Sequence, residues 1–337
     1  MMTSYKHASM LHTKLSFLVE IIIKCSVICA VFLSLTSTVY AAKCLFVSSY
    51  HAGYEWNDGI ERGIESVLKG KCELDKFYLD TKRNKSEGFG KQAALRAKAY
   101  IESSKPDILI AADDNASRYL ILPYFKNVKM PVVFCGINYT VEPYGYPYAN
   151  ATGMIEVSPT KTLLKYIEGS IKQVRRGTYL ASDVISQHRE FELNHAAYAK
   201  QGIILRPVFV KNMHEWMGAY QTAQEASDFL ILGNNGGIGD WDKERVASFV
   251  SKKGKLLSVT NYDWMIRYAI LAVSKVAEEQ GEWAAEVALA VLNGENISDI
   301  PIIVNRRWSV QVNMDLLLAS HIKLSQNVML HAKRVSF

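Results

Sequence analysis

Seven residues with hydrogen-bonding, titratable or aromatic side chains crowd one short stretch: Ser48, Ser49, Tyr50, His51, Tyr54, Glu55 and Trp56, inside VSSYHAGYEWNDGIERGI at 47–64. Serine hydroxyls can bond a carboxylate or a hydroxyl, while Tyr and Trp offer a flat apolar face with a polar edge. Helix capping and local packing explain any one of them taken singly, whereas the group together makes a pocket wall. Five further loops carry comparable chemistry: AADDNAS at 111–117, CGINYT at 135–140, ASDVISQ at 181–187, GNNGGIGDWD at 233–242 and VTNYDW at 259–264. From them come the remaining candidate ligand contacts: Asp113, Asp114, Asn115, Asn138, Asp183, Asn234, Asn235, Tyr262 and Trp264, beside Ser49, Tyr50, His51 and Trp56. One of Asp113 and Asp114 is expected to cap the helix that follows, leaving the other for a ligand amine.

Other chemistries find no support. GNNGGIG lacks the Gly-Lys-Ser/Thr ending of a phosphate loop and the glycine spacing of a dinucleotide fingerprint. His188 and His195, with Glu190 and Glu192 between them, lie two helical turns apart with no Cys or further His nearby, so a solvated helix face is expected there and no metal. Neither G-x-S-x-G nor H-E-x-x-H occurs, so no catalytic residues, no cofactor and no enzymatic activity are assigned.

The elements that must position these loops alternate. Short apolar runs (CLFVSS, ELDKFYL, DILIAA, PVVFCGIN) are separated by amphipathic helices expected at about 59–69, 87–103 and 115–125. In the first helix Ile60, Ile64, Val67 and Leu68 share a face, Asp58 and Glu61 make a capping-box-like start, and Gly59 and Gly63 allow close approach to a sheet. A second strand and helix series follows YTVEPYGYPYAN at 139–150, where prolines and glycine break the periodicity. Buried strands alternating with helices define an α/β protein of two doubly wound parallel-sheet lobes. Ligands in such sheets gather beyond the carboxyl ends of the strands, which is why those loops are weighed first. The tail, AILAVS, EEQGEWAAEVALAVLNG and DIPIIVNRRWSVQVN, returns across the boundary and so forms a hinge of several segments. The lobes are expected to comprise 42–150 with 271–296, and 151–270 with 297–333.

The chain has 337 residues, 49% apolar and 21% charged, which suffices for two cores. Residues 1–41 read as an export signal: Lys6, Lys14 and Lys24 form the basic flank, 25–35 the apolar core, and Val39-Tyr40-Ala41 the cleavage site. Retention as an anchor is the alternative, although Glu20 and Lys24 cut the apolar run short of a spanning length. Cleavage before Ala42 lowers the formal charge from +6 to +4, and the basic residues alternate with acids, so neither nucleic acid nor an anionic membrane is expected as partner. A periplasmic location then permits disulfides, and Cys44 and Cys72, each starting a strand, are expected to pair while Cys135 stays a buried thiol.

With these residues in hand, the chain resembles the periplasmic substrate-binding proteins of ABC transporters with the type I periplasmic-binding fold, over roughly residues 43–325. The resemblance rests on SSYHAGYEWNDGIERGI, EEQGEWAAEVALAVLNGENISDIPI and NRRWSVQVNMDLLLASHIKL. It implies two lobes with three crossings, a cleft closing on one small solute, and delivery to an ABC permease by a monomer. The loop chemistry suggests a solute with a flat or apolar part and a polar, amine-bearing end. A periplasmic subunit that signals to a membrane kinase or diguanylate cyclase is the alternative, because it needs the same cleft.

Overall fold

The computed structural model describes residues 42–337. The proposed signal segment, 1–41, lies outside the described residues. No helix among the described residues is long and apolar enough to cross a membrane.

The first strand shows how sequence becomes architecture. β1 (Ala42–Ser48) sends Leu45 and Val47 into one core and Cys44 and Phe46 into another. Side chains alternate across a strand with period two, so a strand buried on both faces must be apolar throughout. β3 (Ile108–Ala112) repeats the pattern, with Leu109 and Ala111 on one side and Ile108, Ile110 and Ala112 on the other. With β2 (Cys72–Tyr78), β4 (Val132–Asn138), β5 (Ala151–Glu156) and the two-residue β11 (Ile303–Val304), they form a six-stranded sheet ordered β11-β5-β4-β3-β1-β2, parallel throughout.

One face of this sheet is covered by α1 (Glu55–Leu68) and by α2 (Ala277–Leu292), which also packs on β3 and β4. The two helices touch through glycine. A Cβ on Gly63 would stand 2.3 Å from the Glu278 carbonyl oxygen, and one on Gly281 1.9 Å from that of Ile60. The glycines of α1 therefore serve a helix-to-helix contact, where the sequence pointed to the sheet. Its start differs too: α1 begins at Glu55 with Tyr54 before it, and Asp58 accepts from the Gly53 amide (3.0 Å) instead of capping.

The second sheet is seven-stranded, ordered β13-β12-β10-β9-β8-β6-β7. It comprises β6 (Arg176–Ser182), β7 (Ile204–Val210), β8 (Phe229–Leu232), β9 (Leu257–Thr260), β10 (Leu271–Lys275), β12 (Trp308–Asn313) and β13 (Lys333–Val335). All neighbours are parallel except β10 with β12. Its core is built around Tyr179, Tyr198, Trp216, Tyr220 and Phe229.

The chain changes sheets three times, after Glu156, after Lys275 and after Val304. The expected boundaries shift accordingly. Residues 151–156 belong with the first sheet and 271–275 with the second, while 303–304 return to the first. The break in periodicity at 139–150 does not mark the boundary: Tyr146 packs on Phe134 (ring centroids 4.3 Å apart) and Tyr148 on Tyr146 (4.4 Å), inside the first lobe.

Cys44 and Cys72 are disulfide-bonded, with Cα atoms 6.0 Å apart, and Cys135 is a buried free thiol. The bridge staples β1 to β2 within one core, where both cysteines are buried.

Candidate functional site

The carboxyl ends of β1–β5 from one sheet, and of β6, β9 and β10 from the other, carry a connected cluster of charged and aromatic side chains. In the first lobe Tyr50 and Tyr54 stack with centroids 4.4 Å apart and planes 6° from parallel. The Lys82 ammonium lies 5.1 Å from the Tyr50 ring centroid and 2.6 Å from Asp113 Oδ1. Asp113 is buried and adopts φ 74°, ψ 166°, a backbone region tolerated essentially by glycine alone. Such strain persists when surrounding contacts hold it: the Asp113 amide donates to the Cys135 carbonyl (2.8 Å) while its carboxylate takes Lys82.

Burial raises the Asp113 carboxyl above its usual range, with Lys82 opposing and Asp114 adding to the rise. Burial alone would lower Lys82, but the charge and hydrogen bond of Asp113, together with the charges of Asp114 and Glu156, outweigh it and the ammonium is held upward. The Tyr50 phenol is pushed far up, by burial first and then by Asp113. Neighbouring Asp114 accepts from Asn138 Nδ2 and from the Tyr144 hydroxyl, each at 2.7 Å.

A second ion pair sits where the chain changes sheets. Lys275 Nζ bonds Glu156 Oε1, and the same ammonium lies 5.5 Å from the Trp56 ring centroid. Burial raises the Glu156 carboxyl against the pull of Lys275, and Glu156 overcomes the burial that would lower Lys275. Beyond it, on the second lobe, Glu190 accepts from Tyr139 and Asn261, and Gln187 Nε2 donates to the Tyr262 hydroxyl (2.8 Å). Asn261 Oδ1 is buried without a hydrogen-bond partner, an acceptor that a bound N–H donor would satisfy.

Among the residues singled out from sequence, Tyr50, Trp56, Asp113, Asp114, Asn138 and Tyr262 fall in or against this cluster. Ser49 is fully buried and occupied by the fold: its hydroxyl donates to the Ala112 carbonyl (3.0 Å) and accepts from the Ala116 amide (2.8 Å). Asn115 bonds Thr81 (3.0 Å), and His51 stands 3.7 Å from Asp80 at the rim. Asp183 faces outward, paired with His188 (2.8 Å). Asn234 shapes its own turn by accepting from the Gly236 amide (2.6 Å), and Asn235 lies half-buried beside it. Trp264 is 56% exposed and reaches the site through its ring contact with Tyr262.

Sequence reasoning missed Lys82, Tyr139, Glu156, Gln187, Asn261 and Lys275, and placed Glu190 on a solvated helix face although it is 1% exposed. One signal was available: Glu156 and Lys275 are each the only charged residue of their strand, at the carboxyl end where ligands gather. A separate concavity of about 250 Å3, lined by Arg267, Asp315 and Phe337 among others, lies beside the start of β10, at the opposite end of that strand from Lys275.

Two sheets of this order, joined by three crossings with chemistry at the facing strand ends, define a type I periplasmic-binding fold. A family profile described as ABC transporter substrate binding protein matches residues 51–336, and the chain belongs to that family. A search of curated proteins finds no match. Among solved structures, the ligand-free, open structure of CD0873, a substrate-binding protein with adhesive properties from Clostridium difficile, aligns at TM-score 0.69 and 14% identity, over 88% of this chain and 99% of that one. A Streptococcus pneumonia ABC domain in complex with L-Trp aligns at TM-score 0.60 and 16% identity, over 88% and 100%. A conserved domain protein from Vibrio cholerae O1 biovar El Tor aligns at 0.60 and 17%, over 88% and 100%. At such identities these likenesses establish the fold.

Proposed function

We propose that this chain is an exported solute-binding protein that captures a small aromatic zwitterion between its lobes and delivers it to an ABC importer, without chemical turnover. The observation that carries this reading is the pairing of aromatic faces with ion pairs: Tyr50 beside Lys82–Asp113, and Trp56 beside Lys275–Glu156. A flat ring can lie against the aromatic faces, a carboxylate can take spare ammonium protons, and an amine can take spare carboxylate lone pairs and Asn261 Oδ1. Tyr50, Trp56, Asp113, Asp114, Asn138 and Tyr262 are the proposed contacts, joined by Tyr54, Lys82, Glu156, Asn261 and Lys275. The L-Trp held by the pneumococcal relative is a solute of this class. Release before Ala42 and a periplasmic location complete the reading.

The test is a thermal-shift screen of the purified protein against aromatic amino acids, aliphatic amino acids, amines, nucleosides and sugars. An aromatic amino acid at 100 times its dissociation constant should add about 2.7 kcal/mol of stability. A response to sugars or nucleosides with none to any aromatic amino acid would reject the ligand class.

A further inference from the structure

Tyr139 and Glu190 meet across the cleft from different lobes. Tyr139 follows β4 in the first lobe at φ 65°, a left-handed backbone conformation that non-glycine residues seldom adopt. Its amide donates to the Glu156 carbonyl (2.9 Å), which fixes the turn and aims the ring at the second lobe. There its phenol donates to Glu190 Oε2. Glu190 stands on the helix Ile185–Ala199, and its other oxygen accepts from Asn261 Nδ2 (2.7 Å) and Asn194 Nδ2 (3.3 Å), both of the second lobe. The arrangement is asymmetric: amides seat the carboxylate on its own side, and a single phenol bridges from the other.

Position in the hinge separates this bond from the Lys275–Glu156 pair. Glu156 and Lys275 are the last residues before two of the sheet crossings, so rotation about the crossings moves them little. Tyr139 and Glu190 belong to no crossing segment; the Tyr139 amide is held at the Glu156 carbonyl beside the first crossing, and a swing that carries the helix Ile185–Ala199 away from β4 breaks the phenol–carboxylate bond.

We propose that Tyr139 and Glu190 form a clasp that biases the lobes toward closure before any solute arrives, so that removing one hydroxyl opens the solute-free protein. The clasp rests on the reading of the cleft as the solute site only for its consequence for capture. A bias of this kind raises apparent affinity by enlarging the closed fraction.

β2 and β7 are the sheet edges away from the crossings, so labels on exposed Lys85 and Lys211, just beyond these strands, report the opening. Double electron–electron resonance or single-molecule energy transfer between them, with no solute present, is the measurement. Tyr139→Phe should lengthen the mean distance, shifting the open-to-closed ratio by about tenfold. Glu190→Gln should act in the same direction. Tyr144→Phe removes a comparable hydroxyl whose partner, Asp114, lies in the same lobe, and should leave the distance unchanged. Circular dichroism confirms that each variant is folded. Unchanged distances in folded Tyr139→Phe, or an equal lengthening in Tyr144→Phe, would overturn the clasp. A Tyr139→Phe protein that opens, beside a wild type that binds no aromatic amino acid, upholds the clasp and counts against the proposed ligand class.

Discussion

Lys275 ends a strand of the seven-stranded sheet and Glu156 ends a strand of the six-stranded sheet, and the two side chains pair where the polypeptide crosses between them. Both are largely shielded, with 19% and 7% of their side-chain surfaces accessible. A buried ion pair gains little over a well-packed apolar pair, but breaking it leaves one charge without compensation.

Lys275→Met should therefore lower unfolding free energy by about 3–5 kcal/mol. Adding Glu156→Leu to Lys275→Met should recover most of that loss, read as the urea midpoint at constant m-value. A double variant as unstable as the single one would show that packing rather than charge governs this position.

The glycine contact between α1 and α2 predicts a sharp contrast. Gly281→Ala must push the two helices apart and should cost about 1–3 kcal/mol. Gly88→Ala, in the helix Glu87–Ser104 with open space around it, should be neutral or stabilise by about 0.4–1 kcal/mol. Chemical denaturation of both variants side by side checks the pair.

The Cys44–Cys72 bridge spans 28 residues of sequence, and its loss should cost about 2–4 kcal/mol. Thermal unfolding with and without reductant measures it. Cys135 should resist thiol reagents in the native state and react once the protein is unfolded, since the thiol is buried.

An alkaline transition is expected at Tyr78. Burial, followed by the hydrogen bond to Glu61, pushes its phenol up to about 12. The folded state thus keeps a proton that the unfolded chain releases near 10, so this contribution to stability is intact below 10 and lost as pH rises through about 12. Comparing ultraviolet phenolate titrations of the wild type and Tyr78→Phe isolates the transition, and Glu61→Gln should move it downward.

Much of this could be read from residue order alone, for reasons that differ by element. CLFVSS and DILIAA declare buried strands because both of their faces meet a core. The disulfide was legible because neighbouring parallel strands bring their starts together. YTVEPYGYPYAN misled because its prolines and glycine suggest a boundary while Tyr146 packs onto Phe134 and Tyr148 onto Tyr146, contacts visible only in three dimensions. Glu190 misled for a related reason: a carboxylate on a helix reads as solvated until Tyr139 and Asn261 are seen to converge on it. Lys275 and Glu156, 119 positions apart, carry no local sign of being partners.

The short strand Ile303–Val304 and the helix Ala277–Leu292 both complete a sheet whose other five strands come from residues 42–156. During synthesis the second half of the chain must emerge before the first half can finish its own interior. The nascent polypeptide thus carries an uncovered apolar face until residues 277–304 have left the ribosome, an interval in which chaperones and aggregation compete for it.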